Sequence, residues 1–287
     1  MSQLVIDTPK KVHLADYDPD DTGGLTKEAA EARLPELARR LEQLQESLFG
    51  ARQHSVLIIL QGMDTAGKDG TIKHVFSAVN PTGCYTWSFK VPSEEERSHD
   101  FLWRVHRLAP ERGTLAIFNR SQYEDVLIAR VHDLVPREVW QKRYQQINDF
   151  ERLLAENGTL LFKFFLYISK EEQEQRLLAR EQDVEKAWKL SVGDWEERAF
   201  WHAYQEAYEE ALGRCGTHWA PWHIVPANKK WYRNYLVAQT LVEELEPFAR
   251  QWAEALKEQS TRALRDLRAF HAEQQRQEKQ GKGRQRS

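Results

Sequence analysis

A glycine-rich loop with one lysine is the part of this chain best suited to chemistry. Residues 62–68 are GMDTAGK, which has the spacing G-x4-G-K; they follow the apolar run 56–60 and precede a predicted helix. Backbone N–H groups in such a loop surround an anion, while the helix dipole and Lys68 add positive charge. The stretch therefore predicts a phosphate-binding loop. Its predicted phosphate contacts are Gly62, Thr65, Ala66, Gly67, Lys68, Asp69, Gly70 and Lys73.

The loop departs from the usual pattern in its carboxylates. Ordinary loops of this type place Ser or Thr after the lysine to bind Mg2+, whereas Asp69 and Gly70 stand here and Asp64 lies within the loop. Carboxylates beside a bound polyanion are explained by a divalent cation, Mg2+ or Mn2+, which takes oxygen ligands. We predict Asp64 as a metal ligand. Asp69 fits equally well as a cap of the first helical turn.

A second cluster follows the third predicted strand, where residues 118–125 are FNRSQYED. Ligands of parallel sheets bind outside the carboxyl ends of the strands, so this segment should lie beside the loop. Arg120 is predicted to stabilise the transferring phosphate, and Glu124 to complete the catalytic site. Asp125 competes with Glu124 for that role, and either carboxylate also fits as a partner of the helix dipole.

Cations recur between residues 176 and 198, the predicted lid. Arg176 and Arg180 share one helix face, and Lys186 and Lys189 follow in a break between helices. A lid that brings cations over phosphates and excludes water is typical of small phosphotransferases, and Arg180 is the predicted catalytic member. The alternative is a solvated charged surface.

The segment after the second predicted strand is a candidate wall for the acceptor. It is rich in charged and aromatic side chains and lies at a strand end, where ligands bind. The predicted nucleotide pocket consists of Trp103, Arg104, Arg107 and Asn119.

Strands and helices alternate along the middle of the chain, which predicts an α/β fold: a five-stranded parallel sheet with helices on both faces. Three regions are expected: an irregular segment (1–26), the catalytic domain (27–247), and a helix to about 270 followed from 274 by a basic, disordered tail. The predicted strands are 55–60, 84–90, 114–118, 159–166 and 222–226; the predicted helices are 27–50, 94–108, 121–131, 136–156, 170–214 with a break at 183–194, and 231–247.

The first long helix carries a leucine stripe at steps of three and four residues. The stripe fits packing on the same domain or, because the spacing also suits a coiled coil, a subunit interface. Its members are Leu34, Leu37, Leu41, Leu44 and Leu48.

Composition narrows the function classes. A net charge of -3 over 287 residues argues against a general binder of polyanions such as nucleic acid, so an anion site must be a local group of cations. The two cysteines, Cys84 and Cys215, are far apart and argue against a disulfide framework or a zinc site. The chain has no apolar leader or membrane span, and a cytoplasmic location is expected.

Four motifs together resemble a known family. In this order they are GMDTAGKDG, KVPSEEERSHDFLWR, FNRSQYEDV and KAWKLSVGDW, within about residues 27–247. They resemble the polyphosphate kinase 2 family, which is similar in fold to thymidylate kinases and transfers phosphate between inorganic polyphosphate and nucleotides with Mg2+. The resemblance implies a three-layer P-loop kinase fold with a helical lid, and polyphosphate, AMP, ADP and ATP as ligands. We also expect a homo-oligomer, either a dimer or a tetramer.

The resemblance also implies roles for single residues. Asp64 and Lys68 match the catalytic and phosphate-binding positions of the loop, and Arg120 and Arg180 match positions that contact phosphates. Asn119 stands where many members have Asp, so no metal ligand is implied at 119. Glu124-Asp125 replaces the Asn-Arg of many members, and this variant resembles the subgroup that accepts both mono- and diphosphates.

A polyanionic donor demands a basic groove, and we predict its walls at Lys73, Lys229, Lys230 and Arg233. Two rival functions share the same motifs. One is an ATP-dependent nucleotide kinase, and the other is a non-catalytic scaffold that binds polyanion.

Overall fold

The computed structural model describes residues 4–182 and 192–284, with side chains to residue 275. Its sheet contains six strands: β1 (Val5–Ile6), β2 (Ser55–Gln61), β3 (Cys84–Ser88), β4 (Leu115–Asn119), β5 (Thr159–Tyr167) and β6 (Trp222–Pro226). The α-helices are α1 (Lys27–Ala51), α2 (Lys68–Val75), α3 (Glu94–Ser98), α4 (Trp103–His106), α5 (Ile128–Val131), α6 (Arg137–Glu156), α7 (Lys170–Glu181), α8 (Val192–Arg198), α9 (Trp201–Cys215) and α10 (Lys230–Arg284). Short 3-10 turns lie at Leu14–Asp16, Pro81–Gly83 and Gln122–Asp125.

The sheet has the order β1-β6-β5-β2-β4-β3. The five strands β2 to β6 are parallel, as predicted, and every residue of β2 is buried because helices cover both faces. In this register Leu60 is paired with Asn119 and Gln61 with Phe165. The carboxyl ends of β2, β4 and β5 therefore meet at one edge, where the glycine loop begins.

The N-terminal segment is less irregular than predicted, and the sheet has one strand more. Val5 and Ile6 form β1, which pairs antiparallel with β6 opposite His223 and Trp222. Ile6 is fully buried. A two-residue strand has too little pattern to be detected in sequence, and the apolar pocket that Ile6 fills stabilises it.

Three predicted helical stretches are broken differently in the structure. In the stretch 170–214, α8 begins inside the expected break and residues 199–200 separate it from α9. The helix expected at 94–108 divides into α3 and α4, since Ser93 and Glu96 form a capping box for α3 and Asp100 accepts a hydrogen bond from the Leu102 N–H. The helix expected at 121–131 becomes a 3-10 turn followed by α5. The Ser121 hydroxyl starts that turn by accepting the Tyr123 N–H.

The last helix is longer than predicted. α10 continues through Pro247 and, contrary to the expected helix end and disordered tail, runs to Arg284. Residues near this proline pack against α1: Arg40 forms an ion pair with Glu246, and Trp252 is fully buried. This burial offsets the cost of a proline in a helix.

The leucine stripe of α1 faces its own domain. Leu41, Leu44 and Leu48 are buried in the core, and Leu34 and Leu37 pack on its margin. Own-domain packing is thus confirmed over the subunit interface. Among the described helices, none is both long and apolar enough to cross a membrane.

Candidate active site

The glycine loop has the backbone of a compact anion cradle. Gly62, Thr65 and Gly67 have φ of 153°, 66° and 105°, conformations that favour glycine and are strained for threonine. Gly67 caps α2, and a Cβ there would lie 1.7 Å from the Arg233 Nη1 atom. The close approach of Arg233 requires glycine at this position.

Lys68 is the first residue of α2 and turns back over the loop. Its Nζ donates to the carbonyls of Gly62 at 2.7 Å and Met63 at 3.3 Å. Burial, followed by the charge of Arg120, lowers the pKa of Lys68, while nearby carboxylates oppose this shift. Burial disfavours the charged form of this ammonium, and an anionic phosphate bound beside it would stabilise that charge.

Arg120 joins the loop to the β4 end of the sheet. Its Nη2 lies 2.8 Å from Asp64 Oδ1, and its Nη1 lies 3.9 Å from Glu124 Oε2. Burial opposes its charge, but Glu124 and Asp64 outweigh that effect and raise its pKa. Arg120 has φ of 63°, a strained conformation that aims the guanidinium at both carboxylates. The sequence-predicted residues Asp64, Lys68, Arg120 and Glu124 therefore form one cluster.

Glu124 is the least solvated carboxylate of this cluster. Burial raises its pKa, Arg120 and Lys68 lower it, and Asp64 raises it further. Oriented to satisfy both ends of its amide, Gln61 donates to Glu124 Oε1 at 3.1 Å and accepts the Ser121 N–H. Asp125 points elsewhere, since Arg143 Nη1 binds its carboxylate at 3.0 Å. The structure thus selects Glu124 over Asp125.

Arg176 does not point at phosphate, which corrects its predicted role. Its Nε donates to Glu172 at 2.6 Å, and its side chain is buried. Its four terminal N–H groups donate to the carbonyls of Thr65, Ala66, Ala227 and Asn228. All the donors of the guanidinium are used within the protein, so Arg176 ties the loop to the end of β6.

Arg233 is likewise beneath the loop rather than in a groove wall. It is buried, and its Nη1 donates to the Ala66 carbonyl at 3.2 Å. Burial and then Arg176 lower its pKa to about 10. Of the other predicted groove residues, Lys73 is exposed on α2, while Lys229 donates to the Asp20 carbonyl at 2.8 Å. The groove at Lys73, Lys229 and Lys230 stays a prediction.

The described part of the predicted lid lies in α7 and α8. Arg180 on α7 is 3.6 Å from Asp194 on α8. Burial and then Asp64 raise the pKa of Asp194, which places α8 within electrostatic reach of the loop. Lys186 and Lys189 lie outside the described residues.

The predicted nucleotide pocket is only partly assembled. Trp103 stacks on His99 at 4.0 Å, and Arg107 lies 4.5 Å above the indole, beside a cavity of about 380 Å³. Arg104 is instead buried and donates to the Lys90 carbonyl at 2.9 Å, so it supports the segment after β3 and is no pocket wall.

Asn119, the fourth predicted pocket residue, is hydrogen-bonded to the start of α2. Its Nδ2 donates to Asp69 Oδ1 at 2.7 Å. The amide thus fixes the Asp69 carboxylate across the gap between β4 and α2.

The donor set fits a divalent cation in part. No group of three or more His, Cys, Asp or Glu side chains is gathered for a metal within the described residues. Mg2+ in phosphoryl-transfer sites is commonly held by one or two carboxylates together with substrate phosphates. Asp64 and Glu124 provide two such carboxylates, 28% and 17% exposed, on either side of Arg120.

Comparison with known proteins identifies the family of this chain. The family model "Polyphosphate kinase 2 (PPK2)" matches residues 24–252. The chain belongs to the polyphosphate kinase 2 family. The AMP/ADP-polyphosphate phosphotransferase of Meiothermus ruber is 53% identical over 254 residues, covering 88% of this chain and 95% of the relative. The ADP-polyphosphate phosphotransferase of Rhodopseudomonas palustris is 46% identical, covering 75% and 78%.

Solved structures agree with the family assignment. The crystal structure of polyphosphate kinase 2 from Arthrobacter aurescens TC1 matches with a TM-score of 0.82 and 46% identity, covering 85% of this chain and 88% of that chain. The α/β fold with a mostly parallel sheet is therefore the fold of this kinase family.

Sequence reasoning missed several residues that contact the candidate cluster. Gln61 binds Glu124, Asp194 lies 3.6 Å from Arg180, and Gln173 donates to the Asp64 carbonyl at 3.2 Å. Gln61 could have been found from the sequence, because it is a polar residue that ends an apolar strand. Asp194 could have been found because it lies in the motif KAWKLSVGDW. Gln173 lies on a helix and has no such signal.

Proposed function

We propose that this chain transfers a phosphoryl group between inorganic polyphosphate and a nucleotide, with both AMP and ADP as acceptors. The observation that carries the proposal is the cluster in which Lys68 and Arg120 face Asp64 and Glu124. Phosphoryl transfer needs positioning and charge stabilisation more than covalent chemistry, and this cluster supplies both. The name of the Meiothermus ruber relative supports the two acceptors.

Each group of the cluster has a task in this reaction. The loop N–H groups and Lys68 hold the phosphates at the start of α2. Arg120 stabilises the negative charge that spreads over the transferred group, and it is already aimed by Asp64. Mg2+, held by Asp64 and Glu124, would supply further neutralisation of the phosphate oxygens. Arg180 on α7 brings another cation to the same edge of the sheet.

Glu124 is the residue proposed to admit a monophosphate. The attacking oxygen of AMP lies one phosphate unit nearer the nucleoside than that of ADP. When AMP is bound, the site therefore needs a group that fills the space of the missing phosphate. A carboxylate does so by holding a hydrated cation, which an amide does poorly. A cytoplasmic location and a homo-oligomer, a dimer or tetramer, complete the proposal.

The test is a purified-protein assay with AMP or ADP as acceptor and polyphosphate or ATP as donor. Turnover with polyphosphate supports the proposal; turnover with ATP alone indicates an ATP-dependent kinase, and no turnover indicates a scaffold. Glu124→Asn should lower kcat/KM for AMP much more than for ADP. If the ratio of the two is unchanged in the folded variant, Glu124 only complements its local electrostatics and does not select the acceptor.

A further inference from the structure

A buried ion pair lies directly behind the turn that carries Glu124. Lys163 on β5 and Glu151 on α6 are both 0% exposed, and Lys163 Nζ lies 2.6 Å from Glu151 Oε2. Removing two charges from water is costly, and an apolar pair of similar size often serves stability as well. The ion pair therefore calls for a role other than stability.

The pair is fully hydrogen-bonded, and most of its partners lead to the turn Gln122–Asp125. Lys163 Nζ also donates to Tyr123 Oη at 2.8 Å and to the Cys215 carbonyl at 2.6 Å. Glu151 Oε1 accepts from Tyr123 Oη at 2.8 Å and from Gln122 Nε2 at 3.0 Å. Each proton of the ammonium has an acceptor, and two consecutive residues of the turn are bound to the pair.

The turn needs such an anchor. Arg120 before it has the strained φ of 63°, and a single 3-10 turn offers few backbone hydrogen bonds of its own. Strained backbone persists only where the surroundings fix it. Gln122 and Tyr123 point inward to the ion pair, and the next residue, Glu124, faces Arg120.

We propose that the Lys163–Glu151 pair positions the catalytic turn, acting through Tyr123 and Gln122 on Glu124 and Arg120. The inference rests on the proposed function of that cluster. The same ammonium holds the end of α9 by donating to the Cys215 carbonyl at 2.6 Å. One buried cation thus connects β5, α6, α9 and the turn.

Tyr123→Phe tests this proposal, because it removes the hydroxyl that links the turn to both charges while Lys163 and Glu151 remain paired. Ser55→Ala is the matched control: the Ser55 hydroxyl forms a buried 3.0 Å hydrogen bond with the Thr159 hydroxyl at the opposite end of β2 and β5. Ser55→Ala should lower Tm by about 2–4 °C, and Tyr123→Phe by several degrees more, because one proton of the buried Lys163 ammonium loses its acceptor. Only Tyr123→Phe should lower kcat, by about tenfold or more, with little change in KM.

Turnover of the wild type and of both variants is measured with the phosphate donor that the wild type uses. The comparison of their kcat values therefore holds even if the donor proposed above is wrong. Amide hydrogen exchange provides a second measurement without substrate: residues 120–127 should exchange faster in Tyr123→Phe and not in Ser55→Ala. Equal kcat values for the two variants, or unchanged exchange in the turn, would overturn the positioning role.

Discussion

Arg176 and Arg180 lie one turn apart on α7, and replacing each by methionine should give opposite results. Arg176 is buried and donates to Glu172 and to four backbone carbonyls. Arg180 is 27% exposed and has Asp194 at 3.6 Å. Methionine keeps the apolar stem of both side chains and removes the charged head.

The two environments set the magnitudes. Arg176→Met leaves four carbonyls of the loop and of the β6 end without their donor, in a buried site. Losing a buried, charged hydrogen-bond network costs about 3–5 kcal/mol, which lowers Tm by roughly 10 °C in a chain of this size. Arg180→Met breaks a single partly exposed ion pair with a 3.6 Å separation, worth about 1 kcal/mol, and should change Tm by only a few degrees.

Calorimetry and steady-state kinetics together separate the two roles. Arg176→Met should lose kcat with AMP and ADP alike, because the whole loop shifts. Arg180→Met should lose kcat at nearly wild-type Tm. If Arg176→Met keeps the wild-type Tm and only raises KM for polyphosphate, Arg176 contacts the donor and the bracing role derived from its hydrogen bonds is wrong.

Three further predictions concern single side chains. Lys68→Ala should lose most turnover while remaining folded, since it removes several kcal/mol of charge stabilisation from the barrier; near-normal turnover would rule out the loop assignment. Asp64→Asn should abolish activity and weaken its dependence on Mg2+, measured by metal titration; an unchanged requirement would exclude Asp64 as ligand. His223, whose pKa is lowered to about 4 by burial and then by Lys163, should make stability fall as pH drops from 6.5 towards 4. At about 1.4 kcal/mol per pH unit, the free energy of unfolding should fall by about 3 kcal/mol over this range. The His223→Gln variant should not show this loss when its free energy of unfolding is measured over the same range. Equal pH slopes for the wild type and the variant would contradict the prediction.

Local patterns in the sequence were enough to predict the elements at the centre of the fold. The run at 56–60, the glycine spacing and Lys68 predicted β2, the loop and the start of α2. The strands β2 to β6 begin and end within two residues of the predicted bounds. These features depend on neighbouring residues, because strand burial and loop conformation are set by side chains only a few positions apart.

Tertiary structure decided the features that depend on distant residues. β1 forms only because β6 offers an edge, and α10 passes Pro247 because Trp252 is buried there. Arg104, Arg176 and Arg233 were assigned to ligands from their charge, yet each of them donates to backbone carbonyls elsewhere in the chain.

The physical reason is that charge alone does not tell what a guanidinium contacts. Arg176 and the loop carbonyls that it binds are 110 and 111 positions apart in sequence. The sequence therefore determined which chemistry this chain contains, and the packing of α7 against the loop and β6 determined which of its cations remain available for phosphate.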